Sequence, residues 1–148
     1  MRNTPFSFTF LITMLALFMK TSIAGTAPLK IEGAWIAEAP PSSKVLVAYM
    51  NIINPTDEDI TLSKVESEIF SSIELHETRH ENGLARMVRH TSIKIPANSN
   101  VQFERGGKHM MLFNPVKRLR AGDGVIMTLS TINGDTFDIT VNVKKAQY

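Results

Sequence analysis

From Lys30 onward, apolar residues recur in short alternating or β-branched runs, and no run keeps the 3.6-residue spacing of a long amphipathic helix. Lys30 to Ala37 alternates loosely around Ile31 and Trp35 before Ala39-Pro40-Pro41-Ser42-Ser43 breaks it. Val45 to Asn54 has strong strand character and turns at Asn54-Pro55-Thr56-Asp57. Ile60 to Val65, Ile73 to Thr78, Leu84 to His90, Ile93 to Ile95, Val101 to Glu104 and His109 to Phe113 follow. Turn formers such as Asn82-Gly83, Pro96, Gly106-Gly107 and Asn114-Pro115 separate them. Past Ala121-Gly122-Asp123-Gly124, Val125 to Thr131 and Thr136 to Val143 pair around Asn133-Gly134. Eight to ten strands at this spacing predict a single all-β sandwich or barrel without internal repeats.

The Asn82-Gly83 pair is the strongest short hairpin signal, and it carries a register. A two-residue turn pairs Glu81 with Leu84, which sets Thr78 opposite Met87 and His76 opposite Arg89. His76 and Met87 then share a face as diagonal neighbours, with backbones about 7–8 Å apart. A one-residue bulge would send them to opposite faces. His109 and Met111 are two apart on the last strand of this group, so both project from one face while Met110 points away.

Composition narrows the setting. Arg2, an apolar run from Phe6 to Met19 and Ser22-Ile23-Ala24 read as a signal peptide over residues 1–24, leaving a domain over 25–148. The apolar run is too short to span a bilayer comfortably as a helix, so no stable membrane anchor is expected. Removing Arg2 and Lys20 takes the basic count from 16 to 14, against 14 acidic residues. A neutral domain without a basic block argues against nucleic acid as a partner. Cysteine is absent. The core must therefore hold the fold without disulfides, and no cysteine is available for a lipid, so a soluble exported product is expected.

Without cysteine, a soft-metal site has to use methionine. His76, ten residues, Met87, twenty-one residues, His109, one residue and Met111 supply two imidazoles and two thioethers, a donor set suited to monovalent copper. Met50 and Met127 read as core, Met110 as packing and Trp35 as a core aromatic. His80 and His90 read as surface or satisfied residues rather than ligands, although His80 shares the His76 face in the same register.

The spacing His-x10-Met-x21-His-x-Met resembles the site motif of the periplasmic copper chaperones of the PCu(A)C type, also called DUF461. Ala34-Trp35, Ala48-Tyr49, Glu74-Leu75-His76-Glu77, Ile95-Pro96-Ala97 and Gly106-Gly107-Lys108-His109-Met110-Met111-Leu112 carry the likeness across most of the chain. Lys108 departs from it, standing where relatives often have an aromatic or apolar residue. The resemblance implies a cupredoxin-like Greek-key β-sandwich that binds Cu(I) through His76, Met87, His109 and Met111. It also implies delivery to the binuclear copper (CuA) centre of cytochrome c oxidase subunit II, beside Sco-type thiol proteins. A monomer is expected. The chain ends at Ala146-Gln147-Tyr148 without the His- and Met-rich tail of some relatives, so one copper is expected.

Rival readings fall on chemistry. A blue-copper electron carrier needs a cysteine thiolate. Zinc would take more His, Cys or carboxylate ligands, since thioether serves it poorly. No nucleophile elbow, HExxH, phosphate loop or dinucleotide fingerprint marks an enzyme, and nothing in the sequence groups Glu74 and Glu77 for acid–base work. The remaining alternative is an exported β-sandwich that binds protein, its His and Met residues incidental.

Overall fold

The computed structural model describes residues 29–146. The expected signal segment and the terminal Gln147-Tyr148 lie outside the described residues. Ten strands account for the regular structure: β1 (Lys30–Ala37), β2 (Val45–Asn54), β3 (Ile60–Glu66), β4 (Phe70–Glu81), β5 (Leu84–His90), β6 (Ile93–Ile95), β7 (Ser99–Phe103), β8 (Lys108–Pro115), β9 (Gly124–Thr131) and β10 (Thr136–Lys144). They form one sheet in the order β5-β4-β8-β7-β2-β1-β10-β9-β3-β6, with β2 also pairing β8. β1 pairs β10 in parallel. β3 also approaches β4, and β6 approaches β2 and β7, so the sheet folds over into two layers around one core. No helix among the described residues is long and apolar enough to cross a membrane.

Strict alternation builds the central strand. Leu46, Ala48, Met50, Ile52 and Asn54 of β2 are buried while their neighbours are half-buried. Met110 and Met127 are fully buried as well, which is the packing role expected of them. Asn54 closes the following turn from inside. Its Nδ2 donates to the Glu58 carbonyl at 2.7 Å and the Ile95 carbonyl at 3.0 Å, and its Oδ1 accepts from the Thr56 amide at 3.0 Å.

Three local outcomes differ from the sequence pattern. Trp35 is a half-buried outer-face residue, stacked at 5.0 Å on Tyr49 with the Arg105 guanidinium 5.7 Å from its ring, rather than a core aromatic. A bulge between Glu32 and Trp35, with Gly33 at φ 60°, resets the alternation so that Ile36 turns inward in its place. The β4 strand runs twelve residues, well beyond Ile73 to Thr78, because β5 and β8 pair with it on both sides and sustain polar positions that propensity disfavours. The β9–β10 connection closes over three residues: the Thr131 amide donates to the Asp135 carbonyl at 2.9 Å, and Gly134 takes φ 90°.

Candidate metal centre

The β5–β4–β8 part of the sheet sets the four expected donors on one face. Asn82 at φ 52° and Gly83 at φ 76° make the two-residue turn, and the β4–β5 register follows from it: Glu81 with Leu84, Thr78 with Met87, His76 with Arg89. Across the other edge of β4, His76 stands directly opposite His109, and Glu74 opposite Met111. His76, Met87, His109 and Met111 thus share one face, with His76 the hub. It is the cross-strand partner of His109 and the diagonal neighbour of both methionines. The two imidazole centroids lie 6.0 Å apart, their planes inclined by 31°.

Exposure grades across the site. His109 is buried, His76 nearly so, and Met111 half-buried, whereas Met87 on edge strand β5 is 58% exposed. The opposite face of the same strands anchors them, with Leu75, Met110 and Leu112 in the core. A single-residue period thus separates ligand-type residues from packing residues.

Hydrogen bonds orient both rings. His109 Nδ1 lies 3.0 Å from the Gly107 carbonyl, which can only accept, so Nδ1 carries the proton and Nε2 keeps the lone pair. His76 Nε2 lies 2.9 Å from Glu74 Oε2, and Glu74 Oε1 lies 3.2 Å from an Arg89 guanidinium nitrogen. The remaining nitrogen, His76 Nδ1, is buried without a partner. A buried acceptor left unpaired costs about 1–3 kcal/mol. A bound cation would satisfy it, so the donor set fits a soft metal ion. Among the described residues, no three His, Cys, Asp or Glu side chains converge to hold a metal.

Behind the site lies a second cluster. Glu77 pairs with Lys108 across β4–β8, and its carboxylate receives Lys108 Nζ at 3.0 Å, His90 Nε2 at 2.9 Å and Arg79 Nε at 3.0 Å. The Lys108 hydrogen bond holds its pKa down, burial works against it, and His90 and Arg79 assist, leaving it at about 2. Lys108 is therefore turned away from the donors and occupied. His90 is a satisfied histidine held by this cluster, and Glu74 and Glu77, on opposite faces of β4, each have their own histidine. The spacing Glu74–His76, two apart on a strand, was the available signal for the first group, and the β4–β5 hairpin register, which makes Glu77 and His90 diagonal neighbours, for the second; only Lys108 needed the β4–β8 register. His80 lies on the donor face, exposed, two pairs nearer the hairpin tip than Met87 and four nearer than His76.

The family model described as "Putative lipoprotein LpqE-like" matches residues 29–143. The chain is 33% identical to uncharacterized protein RP573 of Rickettsia prowazekii (strain Madrid E) over 99 residues, 66% of this chain and 54% of that protein. It is 31% identical to "Putative lipoprotein Lxx21020" of Leifsonia xyli subsp. xyli over 117 residues, 78% of this chain and 69% of that protein. The match therefore spans about half the length of the Rickettsia relative. Among solved structures, apo-DR1885 from Deinococcus radiodurans is similar at TM-score 0.65 and 30% identity, covering 98% of this chain and 93% of that one. The CuI form of DR1885 is similar at TM-score 0.64 and 34% identity, covering 76% of each chain. The family model spans the strands from β1 nearly to the end of β10, and DR1885 shares their arrangement. The chain belongs to the LpqE-like family, the PCu(A)C (DUF461) group with its cupredoxin-like all-β fold.

Proposed function

We propose that this protein is an exported copper carrier. It binds one Cu(I) through His76, Met87, His109 and Met111 and delivers it in the periplasm to the CuA centre of cytochrome c oxidase. The observation that supports the reading is the paired register of β5, β4 and β8, which puts His76, Met87, His109 and Met111 on one face, together with a buried, unpartnered His76 Nδ1. The similarity to a relative solved in its CuI form supports the choice of ion. Relatives named as lipoproteins support export, although this chain has no cysteine to carry a lipid.

The gradient of exposure suits a carrier better than a catalyst. Met87 faces solvent and would be the first ligand displaced, so an acceptor thiolate can enter without unfolding the strands. Thiolate is the stronger soft donor, and stepwise exchange would then draw the ion off the more buried His76, Met111 and His109. Sco-type thiol proteins and subunit II of the oxidase have the ligand chemistry to receive it.

Titration of the purified protein with Cu(I) under reducing conditions tests the assignment. One equivalent bound, with affinity lost in Met87→Ala and in Met111→Ala, is expected. Indifference to both changes would leave a protein-binding sandwich as the better reading. Transfer of Cu(I) to a purified apo-CuA domain, which is then separated from the carrier and oxidised by one electron with ferricyanide so that the visible absorption of the mixed-valent centre can be read, tests delivery separately.

A further inference from the structure

We infer that Glu74, braced by Arg89, is a positioning residue that selects the tautomer of His76, so that the two imidazoles present different nitrogens: Nδ1 from His76 and Nε2 from His109. The inference rests on the copper reading of the centre and adds to it how the first ligand is presented.

Glu74 and His76 project from the same face of β4, two residues apart, and the carboxylate reaches Nε2 at 2.9 Å. A carboxylate only accepts, so the ring proton sits on Nε2 and the lone pair on Nδ1. That Nδ1 is, among the described residues, a side-chain atom left buried without a partner, in a ring whose centroid lies 6.0 Å from that of His109. His109 is held the other way round, with Nδ1 given to the Gly107 carbonyl. The two orienting groups differ in kind. Gly107 acts through the backbone and survives any side-chain change, whereas Glu74 is a removable side chain. An incidental surface ion pair would be loose and solvated, but Glu74 is 22% exposed and His76 12%. Arg89 stands directly opposite His76 in the β4–β5 register and takes the other oxygen of Glu74 at 3.2 Å, which fixes the carboxylate's rotation. A carboxylate behind a ligating imidazole orients the ring and raises its basicity. Here it also places a negative charge beside an otherwise neutral donor set, one bond network away from a monovalent cation.

Long-range ¹H–¹⁵N correlation of the imidazoles in the full chain, at mildly alkaline pH with and without Cu(I), reads the arrangement directly. In the metal-free protein, the unprotonated nitrogen should be Nδ1 in His76 and Nε2 in His109, and those same two nitrogens should shift on Cu(I) addition. Glu74→Ala should convert His76 to a tautomer mixture, leave His109 unchanged and lower Cu(I) affinity on the order of 10- to 100-fold. Glu74→Gln keeps an accepting oxygen and should restore much of the His76 tautomer, which a purely structural role for the side chain would not require. Unchanged backbone amide spectra establish that each variant folds. Coordination through His76 Nε2, or a Glu74→Ala protein with wild-type tautomer and affinity, overturns the inference. If the metal-free tautomers are as described yet no Cu(I) binds, the copper reading fails and the coordination half of the inference fails with it, while the role of Glu74 in orienting the ring stands.

Discussion

Replacing Glu77 by Gln removes the negative charge that ties β4 to β8 directly behind the donor pair. Glu77 and Lys108 are cross-strand partners, one residue along from His76 and His109 respectively, so this ion pair clamps the very pairing that sets the imidazoles opposite each other. The Glu77 carboxyl falls from 4.5 to about 2 in the folded chain, with the Lys108 hydrogen bond as the largest cause. At about 1.4 kcal/mol per pKa unit, that depression corresponds to at most about 3 kcal/mol of stability. The carboxylate is 19% exposed and Lys108 32%, so solvent screening reduces the expected value to about 1–3 kcal/mol. A depressed carboxyl stabilises the fold fully above its unfolded pKa and loses that contribution as pH falls through the folded one. Urea unfolding of wild type and Glu77→Gln should therefore differ by about 1–3 kcal/mol at pH 7, with the gap closing between about pH 4.5 and pH 2. A Lys108→Ala partner completes a double-mutant cycle and should show coupling of the same sign. Equal stability at pH 7, or a gap that persists unchanged at pH 2, would refute the electrostatic account of this cluster.

The neighbouring positions make separable tests. Met110→Ala empties a fully buried site beside Leu75 and should cost about 2–5 kcal/mol in urea unfolding while keeping one Cu(I) per chain. Met87→Ala, at an exposed position, should change stability by no more than about 0.5 kcal/mol yet weaken Cu(I) in competition with a chromophoric chelator. Gly83→Val forces a β-branched residue to φ 76° and should cost about 1–3 kcal/mol. It should also loosen the hairpin, seen as faster amide exchange across β4–β5 and weaker Cu(I) binding. Protons compete with Cu(I) for the imidazole lone pairs, so affinity should fall at least about tenfold from pH 8 to pH 5; a flat profile would remove His76 and His109 from the ligand set.

What could be learned from the chain alone was whatever local chemistry decides. Alternation and turn formers located every strand, because side-chain period and the residues that tolerate positive φ act within a few positions of each other. Asn82-Gly83 even delivered the β4–β5 register, since a two-residue turn leaves no freedom in the pairing that follows, and with it the face shared by His76 and Met87. Asn133-Gly134 looked equivalent, but its turn closes over three residues, with Thr131 facing Asp135 and Ser130 facing Thr136. Trp35 escaped the pattern because a single extra residue at Gly33 reverses every side chain beyond it. The pairing of His76 with His109 lay further out of reach: β4 and β8 meet across more than thirty residues, and no local rule sets their register. That pairing, in which Leu75 and Met110 pack into one core, set His76 and His109 side by side on one face. It also brought Lys108 to Glu77, whereas the Glu74–His76 contact lies within β4 and follows from its two-residue period, so the arrangement of the expected donors across strands belongs to the tertiary structure while the residue types were legible in the sequence.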